Sequence, residues 1–192
     1  MKAGPKSAVD GSPLPFRPRT KVESERFEAF CRKFVTVPKG TGARGPRKLR
    51  PWQVSLVGSV LDAPTRPRTA GWMLPRGQGK SSLMAALGLY DLVLGDEGAS
   101  VVVAAVDERQ AGIVFGTAAR MVELNEDLSS RVQVYKDRLV VPERGASFAV
   151  MPPSTFSSVR STPESAFTAS STSRVWKAVA SRAARAMWPL LT

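Results

Sequence analysis

The sequence predicts an α/β fold: a parallel sheet flanked by helices, with a phosphate-binding turn between one strand and the next helix. Three observations carry this. The short apolar run TAGWML, Thr69 to Leu74, reads as a buried strand and leads through the turn LPRGQGKSS, Leu74 to Ser82, into the strongly apolar stretch Ser81 to Gly95. ASVVVAAV, Ala99 to Val106, is a β-branched run suited to a buried parallel strand. A helical stretch from Glu108 to Leu124 follows it. Strand, loop, helix, strand, helix is the order of a parallel α/β sheet.

The chain has 192 residues, enough for one domain with a core. Its net charge is +12, and its pI is near 10.7. The charge is placed unevenly: +9 over residues 1–50, −1 over 51–153 and +4 over 154–192. A near-neutral body thus carries two basic ends. Such ends either contact a polyanion, most often nucleic acid, or are solvated tails; charge leaves both readings standing. The single cysteine, Cys31, excludes an intramolecular disulfide and a thiolate zinc site. The absence of histidine excludes His-based triads and His metal sites. No apolar run approaches the roughly 18 residues of a membrane span. The N-terminal stretch MKAGPKSAVDGSPLPF has no apolar core and does not read as a secretory signal. A soluble, intracellular protein is expected.

The elements follow in order. Residues 1–21 are rich in Pro, Gly, Lys and Arg and are expected to be extended and mobile. Over residues 22–36, Val22, Phe27, Phe30, Cys31 and Phe34 recur at helical spacing, with Glu23 and Glu25 early and Arg32 and Lys33 late to suit the helix dipole. Residues 37–50 form a basic Gly/Pro loop. A second helix is expected from Pro51, a favoured first-turn residue, with Trp52, Leu56, Val57, Val60 and Leu61 on one face. After the central unit, VQVY (Val132 to Tyr135), RLVV (Arg138 to Val141) and SFAVM (Ser147 to Met151) read as short strands, two of them suited to an edge hairpin. From residue 154 the chain becomes Ser/Thr-rich without a sustained period, and RVWKAVASRAARAMWPLL reads as a basic amphipathic helix ending at Pro189. The organisation expected is a basic flexible N-terminus (1–21), a partial nucleotide-binding domain (22–153) and a Ser/Ala/Arg-rich tail (154–192), with disordered or weakly ordered ends.

Chemistry concentrates at Pro75, Arg76, Gly77, Gln78, Gly79, Lys80, Ser81 and Ser82. A phosphate loop has Gly, four residues, then Gly-Lys-Ser/Thr, between a strand and a helix. Gly79-Lys80-Ser81 fits the last three positions, whereas the first-glycine position falls on Leu74. Backbone N–H groups and the helix N-terminus supply donors and a positive dipole end for phosphate. On this reading Lys80 reaches the β- and γ-phosphates of ATP as a point charge, and the Ser81 hydroxyl ligates Mg²⁺. Arg76 reads either as a cis arginine finger on the γ-phosphate or as a solvent-facing charge.

These residues resemble a known family. Pro75 to Ser81 is similar to the variant phosphate loop of tailed-phage terminase large subunits, the ATP-driven DNA-packaging motors, which often carry Arg in the loop and lack its first glycine. LRPWQ, Leu49 to Gln53, resembles the segment upstream of their ATPase core. AAVDERQAGIVF, Ala104 to Phe115, resembles the strand and helix that follow. The resemblance covers roughly residues 27–152. It implies that Gln53 contacts adenine, that the cofactors are ATP and Mg²⁺, and that the partners are double-stranded DNA, a small terminase subunit and a portal in the host cytoplasm. Read alone, Trp52 and Gln53 would only start a helix, and Asp107 would only cap one.

One expectation is negative. A motor of this type needs a buried strand ending in Asp-Glu, for Mg²⁺ and for the attacking water. No such run follows Met151, and Glu164 is the only acid beyond Glu143. The nuclease domain the resemblance implies has neither length nor acids here. The composition break near residue 153 suggests a truncated, frameshifted or otherwise replaced sequence. Three functions follow: an ATP-binding fragment of a packaging motor with hydrolysis in doubt, a non-catalytic remnant or basic nucleic-acid-binding protein, or another helicase-like phosphate-loop NTPase.

Overall fold

The computed structural model describes residues 9–40, 42–65, 67, 69–105, 108–151 and 175–177. Helices α1 (Glu23–Phe34) and α2 (Pro51–Leu61) precede α3 (Lys80–Leu94) and strand β1 (Ser100–Ala104). Helix α4 (Glu108–Glu123), the short α5 (Glu126–Ser129), and strands β2 (Gln133–Val134), β3 (Arg138–Val141), β4 (Ala146–Met151) and β5 (Val175–Lys177) follow. Among the described residues the strands form one sheet, in the order β2-β3-β4-β1-β5.

The sheet is mixed. β1 pairs in parallel with β4 and with β5. The expected edge hairpin forms from β2 and β3, and β3 pairs antiparallel with β4. In β1 the alternation is direct: Val101 and Val103 are buried, while Ser100 and Val102 are half-buried on the other face. A 3-10 turn, Pro142–Arg144, and the left-handed Gly145 (φ 59°) reverse the chain between β3 and β4.

Two sequence expectations are corrected. Thr69 to Leu74 forms no strand, and Thr69, Ala70, Gly71 and Met73 are exposed. The run contains only one β-branched residue, and both sides of β1 are already taken by β4 and β5. Val175–Lys177, expected to start a basic helix, is instead a strand. Valine and tryptophan suit an extended ladder, and β1 offers an edge that would otherwise be unpaired. The remainder of that expected helix, and Asp107 as a cap, lie outside the described residues.

One residue organises the packing. Phe148 on β4 is fully buried and meets both covering helices. Its ring lies edge-on to Phe115 of α4 at 6.2 Å. On α3, a Cβ built at Gly88 would lie 3.0 Å from Phe148 Cε1 and 3.4 Å from Val101 Cγ1. Gly88 therefore sets how closely α3 approaches the sheet. Gly88→Ala is expected to destabilise the fold by about 1–3 kcal/mol through overpacking, read as a lowered melting temperature.

α1 packs outside α3. Its buried Phe27, Phe30, Cys31 and Phe34 stand at the spacing of one helical face. Phe27 and Phe30 meet Tyr90 of α3 edge-on at 5.5 and 5.4 Å. Ser24 N–H donates to the Asp62 carboxylate at 2.9 Å and ties α1 to the end of α2. Burial pushes the Cys31 thiol up to about 12, so it is an inert core group.

The described part of the N-terminal segment, from residue 9, is strapped to the body, against the expectation that it is mobile. Phe16 packs edge-on against Phe30 and Phe34 at 6.1 and 5.8 Å. Lys33 Nζ donates to the Pro15 carbonyl. At the strap's other end Arg131 pairs with Asp10 at 2.8 Å and donates to the Ser12 carbonyl at 2.9 Å. The Ser12 N–H and hydroxyl, then Arg131, hold the Asp10 carboxyl below its ordinary value of 3.8. A depressed carboxylate contributes fully above its unfolded value and loses that contribution as pH falls through the folded one. The Asp10 end of the strap is therefore expected to loosen only below pH 3.8. The carbon shift of the Asp10 carboxyl, followed in an acid titration, checks this against an Arg131→Met variant.

The described residues of the loop between α1 and α2 are tied together by their own hydrogen bonds. Thr36 and Pro46 form a bridge. Val37 N–H donates to the Gly45 carbonyl and Arg44 N–H to the Val37 carbonyl, each at 2.9 Å. Gly40 and Gly42 take φ of 91° and 81°, and Arg44 takes 64°, the one positive value outside glycine among the described residues. That backbone costs an arginine about 1 kcal/mol relative to its usual basins.

Candidate phosphate-binding site

The site lies where residues 69–79 lead into α3. Pro75 holds Leu74 out of the helical region. The chain then turns through Arg76 and Gly77, and Gly79 is the N-cap of α3. Gly77 and Gly79 have φ of 83° and 73°, so both need the left-handed region that glycine adopts without strain. A Cβ at Gly77 would meet nothing within 4 Å, so its side of the turn is open.

Lys80 is the first residue of α3, and its side chain folds back across the turn. Its Nζ donates to the Leu74 carbonyl at 2.5 Å and to the Pro75 carbonyl at 3.2 Å. The ammonium thus sits inside the turn on the N-terminal side of the helix, where the dipole is positive. No acidic residue stands in the first turn of α3 to offset that potential. Ser81 and Ser82 follow, half-buried, in the same turn. Pro75 and Arg76 are exposed.

Gln53 comes to this site from α2. It is 6% exposed, among the few buried polar residues, and shares a helix face with Val57, Val60 and Leu61. Its Oε1 accepts from Arg50 N–H at 3.1 Å, the reach-back of an N3 glutamine to its N-cap. Its Nε2 donates to the Gln78 carbonyl at 3.4 Å, a long bond. The side chain therefore stands behind the turn and braces it. The fold brings Gln53 against the turn, whereas the resemblance singles it out for adenine. The sequence gives no sign that the carbonyls of Leu74, Pro75 and Gln78 take part, because backbone acceptors leave no residue signature.

The acid on α3 is remote from Lys80. Asp91 is buried at the other end of α3, eleven residues and about 16 Å along the helix from Lys80. It lines a small polar cavity with Glu23, Arg26, Tyr90 and Asp96. Among the described residues no group of three or more His, Cys, Asp or Glu is placed to hold a metal. Of the DERQA segment, Arg109 is exposed, and Gln110 Oε1 is buried without a hydrogen-bond partner.

Residues 51–153 match the family profile described as "Terminase large subunit, ATPase domain". The chain belongs to the terminase large subunit family. The matched region starts at the first residue of α2 and ends where the composition changes, so it holds Gln53, the turn, β1 and β4. It begins later than the expected residue 27, leaving α1 outside. The terminase large subunit of Enterobacteria phage HK97 is 34% identical over 115 residues, 59% of this chain and 23% of that protein. The crystal structure of the HK97 large terminase superposes with a TM-score of 0.63 at 29% identity, covering 69% of this chain and 28% of the other. This terminase chain thus spans about a quarter of the length of the relatives it matches. Among its described residues no helix is long and apolar enough to cross a membrane.

Proposed function

We propose that this chain is the nucleotide-binding part of a phage DNA-packaging motor, and that it binds ATP with Mg²⁺ at the turn of residues 75–82. One observation carries the reading: the Lys80 ammonium is held inside an open, left-handed Gly77–Gly79 turn at a helix N-terminus. That donor set suits a polyphosphate. An ammonium already seated among carbonyls can exchange those weak acceptors for phosphate oxygens without rebuilding the turn.

The residues divide the work by chemistry. Turn amides and the α3 N-terminus orient the phosphate chain. Lys80 neutralises the β- and γ-oxygens, and Ser81 supplies the hydroxyl that holds Mg²⁺. A magnesium ion held there by Ser81 would supply positive charge to offset that of the phosphates. Arg76, exposed in the turn, extends toward the γ-phosphate and stabilises charge developing there. Gln53 keeps the turn in register with α2 and presents its amide to the adenine side. Turnover needs two carboxylates near the γ-phosphate; among the described residues the acid on α3, Asp91, is about 16 Å along the helix from Lys80. Binding is the activity we propose for this chain itself.

The partner proposed for the assembled motor is duplex DNA, with a small terminase subunit and a portal. Titration of purified protein with Mg–ATP, alongside Lys80→Ala, tests the nucleotide reading. Equal affinity in the two proteins would sink it.

A further inference from the structure

We infer that the loop between α1 and α2, of which residues 36–40 and 42–50 are described, docks on the phosphate backbone of duplex DNA, with Arg44 just after its glycine turn. This rests on duplex DNA being the partner proposed above, and it replaces basic ends in general with one surface. The loop carries Lys39, Arg44, Arg47, Lys48 and Arg50, with no carboxylate between residues 37 and 50. Lys39, Arg44, Lys48 and Arg50 are exposed. Among the described residues none of these four pairs with a carboxylate.

Arg44 is the second, independent observation. Where this loop needs only a left-handed backbone it uses glycine, at 40 and 42. At 44 it keeps an arginine in the same strained region, which is understood if the guanidinium is what the position is for. The hydrogen-bonded frame holds the cations in place before any partner arrives, so little ordering is left to do on binding.

The chemistry selects the partner. Arginine forks and lysine point charges match phosphate oxygens. The contacts inferred are to phosphate oxygens, which position a protein on the duplex and carry no sequence information directly. It has no exposed aromatic or large apolar side chain for insertion in a bilayer, since Leu49 is buried. Its end reaches the nucleotide site through Arg50 N–H, Gln53 and the Gln78 carbonyl.

Deleting residues 1–50 would not test this, because it removes α1 and its buried phenylalanines. The test is fluorescence anisotropy of a labelled duplex with the full chain over a salt series, without nucleotide. Arg44→Gly is expected to melt no lower than the parent, because glycine relieves the strain, and to bind duplex more weakly. Lys39→Ala/Arg44→Gly/Lys48→Ala/Arg50→Ala is expected to lose about tenfold or more in affinity at low salt, with the logarithmic salt slope reduced by up to about 3.6. The exposed pair Lys136→Ala/Arg138→Ala serves as control and is expected to move neither. Parent affinity and slope in the fourfold variant would overturn the assignment. So would a parent that ignores duplex at low salt, or one that binds phosphatidylserine vesicles instead. Mg–ATP titration of the same proteins reads the nucleotide site separately, so failure here leaves that reading standing.

Discussion

Replacing Lys80 with alanine is expected to weaken Mg–ATP binding by about ten- to a hundredfold while leaving the fold intact. The size follows from charge-assisted hydrogen bonds, each worth roughly 1.5–3 kcal/mol, at about 1.4 kcal/mol per tenfold. The fold survives because Lys80 is exposed and the carbonyls it leaves, those of Leu74 and Pro75, lie where water can replace it. Surface substitutions of this kind change stability by about 0.5 kcal/mol or less. Lys80→Arg keeps the charge but brings a wide planar fork to a site shaped for a compact ammonium, so it is expected to recover only part of the loss. Calorimetric titration and a thermal melt on each variant separate binding from folding. A large drop in melting temperature for Lys80→Ala would show that the lysine props the turn rather than serving a ligand.

The largest stability effect is expected at Phe30. It is fully buried and meets Phe16, Phe34 and Tyr90 with ring centroids at 6.1, 5.5 and 5.4 Å. Truncating such a ring to alanine costs about 3–5 kcal/mol, a large part of the roughly 5–15 kcal/mol that holds a domain together. At about 2–4 °C per kcal/mol for a chain of this size, the melting temperature should fall by about 6–20 °C. Circular dichroism on heating gives the answer. α1 lies outside the matched family region, so the result also decides whether it belongs to the same cooperative unit. A drop of no more than about 2 °C, what 1 kcal/mol gives, would mean that α1 folds apart from α3 and the sheet.

Much of this architecture is legible in the sequence, and particular residues show why. Phe27, Phe30, Cys31 and Phe34 announce α1 by their spacing, and Ala111, Val114, Phe115, Ala118, Met121 and Val122 do the same for α4. β1 is legible because three consecutive valines have few alternatives to a strand. The turn is legible because Gly79-Lys80-Ser81 sits ahead of an apolar helix. What escapes a local reading depends on distant partners. Thr69 to Leu74 looks like a strand until the sheet's order shows that β1 already has two neighbours. Val175–Lys177 looks helical in its own context and pairs as a strand because of an edge at Val102–Ala104, far earlier in the chain. Arg44 looks like any loop cation until its backbone angle is known.

The strap has a consequence for the order of events during synthesis. Ser12 is held by Arg131, 119 residues later in the chain. At about 5–20 residues per second, the ribosome reaches Arg131 roughly 6–24 s after Ser12. Until then the strap has only its Phe16 end to dock, and its Asp10 end has no anchor. Residues 10–12 are therefore among the last of the described residues to settle, and their docking reports that the chain has been built through α5.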